Sequence, residues 1–383
     1  MKKVLLTGVA FVALATTPAM AEGLSLDLAG HFKGYGVYND NDEAAGVSLD
    51  DLNIRKETEV HFTGETTLDS GLTVGVHVEA DVDGDDDFGF DETYMYLSGG
   101  WGRVNFGEED GAAYLLQVAA PSADSNVDGL RQYISTYNPL GGATGGLNAT
   151  QTAIFGAPAL GQSFRLDYDH VAPTGAGNAS GKNNKLTYMT PVFNGFQAGA
   201  SYIPTMDDDA NGFVGTGADN DANEYEDGYE LAMRYEGAYE GVGVTFGAGY
   251  GKYNVEVTTD TVAAGELTDD SDVWNVGLDL DFAGFGLGVA YLENNSEVDA
   301  IDVEQETLVV GADYQMGAYK LGVSWLNTEA EAANLDAEVD RYTAGASYSY
   351  GPGMSFRGSV SMIDGDDAFA DSTQVTLGTQ VNF

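Results

Sequence analysis

The chain is 383 residues long and carries 61 acidic against 15 basic residues, a formal net charge of −46. That balance excludes nucleic-acid binding, which needs a basic footprint, whereas 17 Phe, 22 Tyr and dense Val/Leu alternation argue against the disorder that acidity alone would suggest. Cysteine is absent, so an oxidising compartment is neither required nor contradicted, and 52 glycines, about twice the usual ~7%, suit tight turns and close backbone contacts.

At the N-terminus, Lys2-Lys3, an apolar run from Val4 to Ala15 and the small-residue site Ala19-Met20-Ala21 have the form of a secretory signal. Residues 1–21 are therefore set aside from the fold, leaving 22–383 as one domain. The apolar run is short of the ~20 residues a membrane-crossing helix needs, and no later segment is that long. Any crossing must then be made by strands, and only a closed barrel satisfies every strand's backbone in lipid.

From Glu22 onward the period is two. Leu24, Leu26, Leu28, Phe32 and Tyr38 share one parity, with His31 and Lys33 on the other. After an acidic loop, Leu52, Ile54, Val60 and Phe62 alternate with Arg55, Glu57, Glu59 and His61, and a short turn at 68–71 leads into Leu72 to Val78. Later stretches read the same way: 196–202, 229–235, 242–250, 274–282, 285–291, 308–314, 319–325, 342–350 and 356–362. Short glycine turns such as Ala283-Gly284 alternate with long acidic loops such as those holding Asp207 to Asp209, Asp269-Asp270 and Asp364 to Asp367. The last stretch, Ser372 to Phe383, places Val375, Leu377, Val381 and Phe383 on one face and Gln374, Thr376, Gln380 and Asn382 on the other. Ending on a clean edge strand invites aggregation unless that strand pairs with the first.

Seventeen stretches alternate. A chain with both ends on the periplasmic side needs an even number, so 164–168, inside the irregular segment after Glu108, is rejected and sixteen strands are expected. Tyr38, Tyr202, Tyr250, Tyr291 and Trp325 end outward-running strands, and Tyr235, Tyr314, Tyr350 and Phe383 end inward-running ones. Two such belts are what the two interfaces of a bilayer select.

Three stretches carry a family resemblance: Leu186 to Tyr202 (LTYMTPVFNGFQAGASY), Gly102 to Asp110 (GRVNFGEED) and the C-terminal strand. Together they resemble the general porins of Gram-negative bacteria, especially the alphaproteobacterial type. The resemblance implies an all-β, sixteen-stranded transmembrane antiparallel barrel, trimeric, in the outer membrane, with a long third external loop folded into the lumen. That loop would occupy residues 108–183, start at Glu108, Glu109 and Asp110, and run through Asp124, Asp128 and Arg131. Phe383 would resemble the signal that the outer-membrane assembly machinery reads.

Eight basic residues fall on the lumen parity: Lys33, Arg55, Arg103, Lys185, Arg234, Lys320, Arg341 and Arg357. Avoidance of lipid explains that parity, because Arg or Lys at mid-bilayer costs about 2–4 kcal/mol. A transverse field explains it too, and on that reading Lys33, Arg55, Lys185 and Arg234 would face Glu108, Glu109, Asp110, Asp124 and Asp128 across the narrowest point. The acid excess predicts a preference for cations. Gly30, Gly34 and Gly36 on the lipid parity of the first strand suggest a contact between protomers, or else a barrel corner.

Other motifs weigh little. Asp81 to Asp87 with Glu92 lacks the glycine of a calcium loop, since Asp86 sits there, and loosely bound Ca2+ at acidic loops, bridging lipopolysaccharide, is the remaining cofactor expectation. The 175–182 stretch lacks residues of a phosphate loop. His31, His61 and His77 have lumen parity with no clear metal or nucleophile partner, so no metal site and no catalytic residue is assigned. The expectation is a water-filled diffusion channel without chemistry. A substrate-selective channel and a plugged adhesin or surface-antigen barrel are the alternatives.

Overall fold

The computed structural model describes residues 23–43, 48–82, 89–130, 134–135, 137–138, 168, 183–206, 225–255, 267–298, 301–332, 335–366 and 369–383. Sixteen antiparallel strands follow chain order around a closed barrel. They are β1 (Ser25–Asn41), β2 (Leu52–Thr67), β3 (Thr73–Asp81), β4 (Gly89–Gly99), β5 (Gly102–Glu108), β6 (Asn184–Met189), β7 (Phe196–Ile203) and β8 (Tyr225–Tyr239). The circuit continues with β9 (Val242–Val255), β10 (Leu267–Phe282), β11 (Phe285–Val298), β12 (Ile301–Met316), β13 (Tyr319–Ala332), β14 (Leu335–Gly351), β15 (Met354–Gly365) and β16 (Ser372–Asn382).

The barrel closes where the alternation requires, by pairing β1 with β16 from His31↔Asn382 to Asn41↔Ser372. Beyond that register Gly30 and Phe383 exchange backbone hydrogen bonds of 2.9 and 3.0 Å. Strand β5 pairs directly with β6; of the rejected 164–168 stretch only Tyr168 lies among the described residues.

Alternation decides the two faces. Leu24, Leu26, Leu28, Phe356 and Leu377 stay exposed on the outside, while their neighbours of opposite parity are mostly buried or polar. The outer face carries the aromatic belts, with Phe196 on Tyr235, Phe285 on Tyr314 and Tyr319 on Tyr348 at centroid distances of 4.6, 4.4 and 4.7 Å on the turn side. Trp274 packs on Tyr291 at 4.8 Å on the loop side. Turns between strands use the twist-compatible hairpin geometry, Ala283 and Gly284 having φ of 53° and 92°.

Several strands run further than the sequence pattern suggests. Strands β10, β12 and β14 have 16, 16 and 17 residues, against the ~9–11 that cross a bilayer. Asp269-Asp270, expected in a loop, belongs to β10. The ladder of backbone bonds continues past the lipid, where both faces are polar and alternation no longer marks a strand.

Candidate functional site

After β5 the chain turns back along the inner wall. Two short helical turns, α1 (Ala112–Leu115) and α2 (Ser125–Asp128), punctuate this segment. Its path is a sequence of anchors on successive strands. The Ala112 and Ala113 amides donate to Ser201 Oγ on β7 and Glu230 Oε2 on β8, each at 2.9 Å. Asn275 Nδ2 on β10 donates to Ala113 O at 3.2 Å. Further along, Asn126 Nδ2 donates to Tyr35 Oη on β1 and to Gln380 Oε1 on β16. Finally Tyr137 Oη donates to Ala370 O at 2.8 Å, and Asn41 Nδ2 donates to Asn138 O at 3.0 Å.

What lets a backbone lie this close to a barrel wall is a row of glycines. A side-chain carbon at Gly247 would strike Leu116 and Val118, and at Gly277 Val118; at Gly288 or Gly311 it would strike Pro121, and at Gly322 Ala123, whose Cβ would also stand 3.3 Å from a carbon at Gly345. These glycines face one another across the strands, as Gly247↔Gly277, Gly288↔Gly311 and Gly322↔Gly345. Glycine inside a strand marks close approach of another backbone, and here one stretch of chain, Leu116 to Ala123, crosses six of them.

Two buried carboxylates pin the far end of the segment. Asp124 Oδ1 accepts from Arg357 Nη1 at 2.9 Å, and its Oδ2 from Tyr35 Oη at 3.0 Å. Asp128 Oδ1 lies 3.1 Å from Arg341 Nη2 and accepts from Thr343 Oγ1 at 3.1 Å, while Oδ2 accepts from Ser324 Oγ at 2.9 Å. Burial pushes the Asp128 carboxyl up, against the pull of Arg341. At the near end Glu109 is pushed up to about 7 by burial, with Arg103 opposing and the neighbouring Asp110 reinforcing the shift.

The sequence-selected residues therefore divide. Asp124 and Asp128 lie inside the barrel, but their partners are Arg357 and Arg341 on the strands they rest on, not the four cations expected to face them. Lys33 pairs with Glu57, directly opposite it on β2. Lys185 donates to the backbone O of Glu109. Arg234 Nη1 donates to Gln117 O at 3.1 Å and its Nη2 lies 2.7 Å from Glu236 Oε1. Arg55 is exposed in the lumen opposite Tyr35. Glu109 and Asp110 are buried at the start of the segment, whereas Glu108 ends β5 opposite Thr93 and Asn184, on the outward parity of Phe106. Arg131 lies outside the described residues, as do most of 108–183, positions 44–47 and 83–88 of the acidic loops expected to hold Ca2+, and the signal-like segment. On the outer face, the Phe383 ring covers Gly30 and the Phe32 ring covers Gly34, so two of the three glycines already receive a ring from their own chain.

Parity alone did not pair the residues of the remaining wall. On the lumen faces of β1 to β4, His31, His61, His77 and Tyr94 form a diagonal ladder with ring centroids 6.3, 5.5 and 5.2 Å apart. Between the histidines stand Glu57, Glu59 and Glu79, all buried. Tyr96 donates to Glu65 at 2.5 Å, and Arg103 lies over the Tyr96 ring at 4.0 Å. The signal available in the sequence was the shared parity of these residues; their contacts depend on strand register.

Comparison with known proteins adds the following. A family model described as Gram-negative porin matches residues 8–368. The anion-selective porin from Comamonas acidovorans superposes with a TM-score of 0.66 at 18% identity, over 94% of this chain and 100% of that one. OmpF of Salmonella typhi, in a complex with daunomycin, gives 0.61 at 18% identity over 94% and 97%. OmpT of Vibrio cholerae, in vitro folded and in its trimer form, gives 0.58 at 14% identity over 94% and 100%. No curated protein sequence matches the chain.

Proposed function

From the premise that this chain belongs to the Gram-negative porin family, and so is an outer-membrane diffusion channel and not an enzyme, we propose that it passes small hydrophilic solutes and ions with a preference for cations. The observation that carries the sign of the preference is the histidine wall. It sets Glu57, Glu59, Glu65 and Glu79 against Lys33, Arg55 and Arg103, while Arg357 and Arg341 are held by Asp124 and Asp128. A lumen lined by one sign of charge concentrates the opposite ion. The inner segment, seated on its glycines, would narrow the passage from the other side.

The test is the reversal potential of the folded protein in a planar bilayer under a salt gradient. A potential of cation sign that moves toward zero in a Glu59→Gln/Glu79→Gln variant supports the reading; a chloride-favouring potential in the parent overturns it. A large ohmic conductance separates a diffusion channel from a saturable substrate-selective channel and from a plugged barrel. The neighbour named for anion selectivity makes this sign the point to measure.

The exposed Leu24, Leu26 and Leu28, with the Phe32 and Phe383 rings laid over Gly34 and Gly30, would form the apolar face of a homotrimer contact. Stable trimers on unheated detergent gels would support this. Phe383 would serve assembly. Carboxylates on the outer face above the aromatic belt, among them Glu293, Glu304 and Glu306, would meet lipopolysaccharide through divalent cations.

A further inference from the structure

The histidine ladder has the geometry of a metal site. Glu59 Oε2 stands 3.5 Å from His31 Nδ1 and 3.5 Å from His61 Nε2. Two ligands sharing one tetrahedral zinc, at bond lengths of about 2.0–2.2 Å, are separated by roughly 3.3–3.5 Å. All three ligand atoms lie within 4.8 Å of one another, so closing the set around one ion takes only a small rotation of a ring.

The remaining nitrogens strengthen this assignment. A metal-bound imidazole usually donates its other N–H to a carboxylate, which fixes the tautomer and orients the ring. His31 Nε2 lies 2.8 Å from Glu57 Oε1, and His61 Nδ1 lies 2.9 Å from Glu79 Oε2. Both rings are thus held by a carboxylate on the side away from Glu59, presenting His31 Nδ1 and His61 Nε2 toward it. The neighbouring set, His61, His77 and Glu79, fits less well. There Glu79 Oε2 is already in hydrogen-bond contact with His61 and stands 3.9 Å from His77 Nε2, while His77 Nδ1 is 2.9 Å from Thr63 Oγ1.

We propose that His31, Glu59 and His61 form a binding site for a divalent transition metal of the zinc class, with Glu57 and Glu79 as orienting partners and the fourth position open to lumen water. Two imidazoles and one carboxylate suit borderline ions such as Zn2+, Co2+ or Ni2+, and not Ca2+ or Mg2+, which require oxygen shells. Glu57, Glu59 and Glu79 outnumber Lys33 by two among the carboxylates and the ammonium of this cluster, an excess of negative charge that one such ion would balance. The proposal is independent of which ions the channel prefers to pass, because it concerns equilibrium binding to the wall.

The experiment is isothermal titration of the folded, detergent-solubilised protein with Zn2+, repeated with Ca2+, and Co2+ absorption as a report of ligand geometry. One Zn2+ per chain is expected, with a tetrahedral-type Co2+ spectrum. His61→Gln and Glu59→Gln should abolish both, and Glu57→Gln should weaken affinity about 10–100-fold, as loss of an orienting carboxylate does. His77→Gln should leave affinity unchanged, and heat-modifiable migration on gels confirms that each variant is folded. The proposal fails if Ca2+ binds as tightly as Zn2+, if Co2+ gives only an octahedral spectrum, or if His77→Gln costs as much as His61→Gln.

Discussion

Two walls of one lumen use the same inward-facing positions in opposite ways. From β9 to β14 a glycine stands at an inward-facing mid-strand position of each strand, and what fills the space is another stretch of the same chain, held by backbone contacts and two buried ion pairs. From β1 to β4 they are long ionisable side chains that line the lumen and bond to one another across and along the strands. The first wall is a structural seat, where shape decides what is tolerated. The second is a chemical surface, where charge decides. Substitutions should therefore change stability on the glycine wall and permeation on the histidine wall.

The largest effect is expected from Arg341→Met. It leaves Asp128 buried without its cation, a change that costs about 3–5 kcal/mol for a broken buried pair. The folded barrel should melt lower and conduct more as the inner segment detaches, and adding Asp128→Asn should recover most of the loss. Next comes pH. Glu109 binds its proton more tightly in the folded segment, at about 7, than at its ordinary 4.5. Docking is thus fully favoured below about 4.5 and weakens as pH rises through 7, by up to about 3 kcal/mol at one unit per 1.36 kcal/mol. Glu109→Gln should flatten that dependence when loop cleavage by protease is followed between pH 4 and about 8. Gly311→Leu then probes the seat itself: the side chain would occupy the place of the Pro121 carbonyl, at about 1–3 kcal/mol for overpacking. Raised protease sensitivity of the segment would register it. Least disruptive to stability is His77→Gln on the other wall, within about 0.5 kcal/mol, read as an unchanged melting temperature. A destabilisation there as large as that of Gly311→Leu would erase the distinction between the walls.

The barrel was legible because oil outside and water inside write a period of two, as Leu377 and Gln374 still show at the last strand. Lumen parity was legible for the same reason, and Arg341 and Arg357 were among the residues it selected. Pairing was not. Which carboxylate meets which cation depends on where an inner segment lies, and parity says nothing of a chain that has left the sheet. A clue did exist in the mid-strand glycines on lumen parity, Gly247 and Gly277 through Gly322 and Gly345, each a place where a backbone could approach. The metal-like set was hidden differently. His31, Glu59 and His61 share a parity, but β1 and β2 are joined by a long acidic loop, and a tight turn is what would have fixed their register from sequence. Glu108 shows the converse limit: an acid next to the inner segment in sequence is placed by its last ladder pair on the outward face.

The seam between β1 and β16 carries a consequence for biogenesis. Gly30 and Phe383 extend the β1–β16 ladder by one more pair of hydrogen bonds, so the first strand keeps an open edge until β16 docks on it. Sealing is then a checkpoint on the seam itself: a chain in which β1 and β16 have not met exposes two adhesive borders at once, and any escort that delivers it must shield both until they meet.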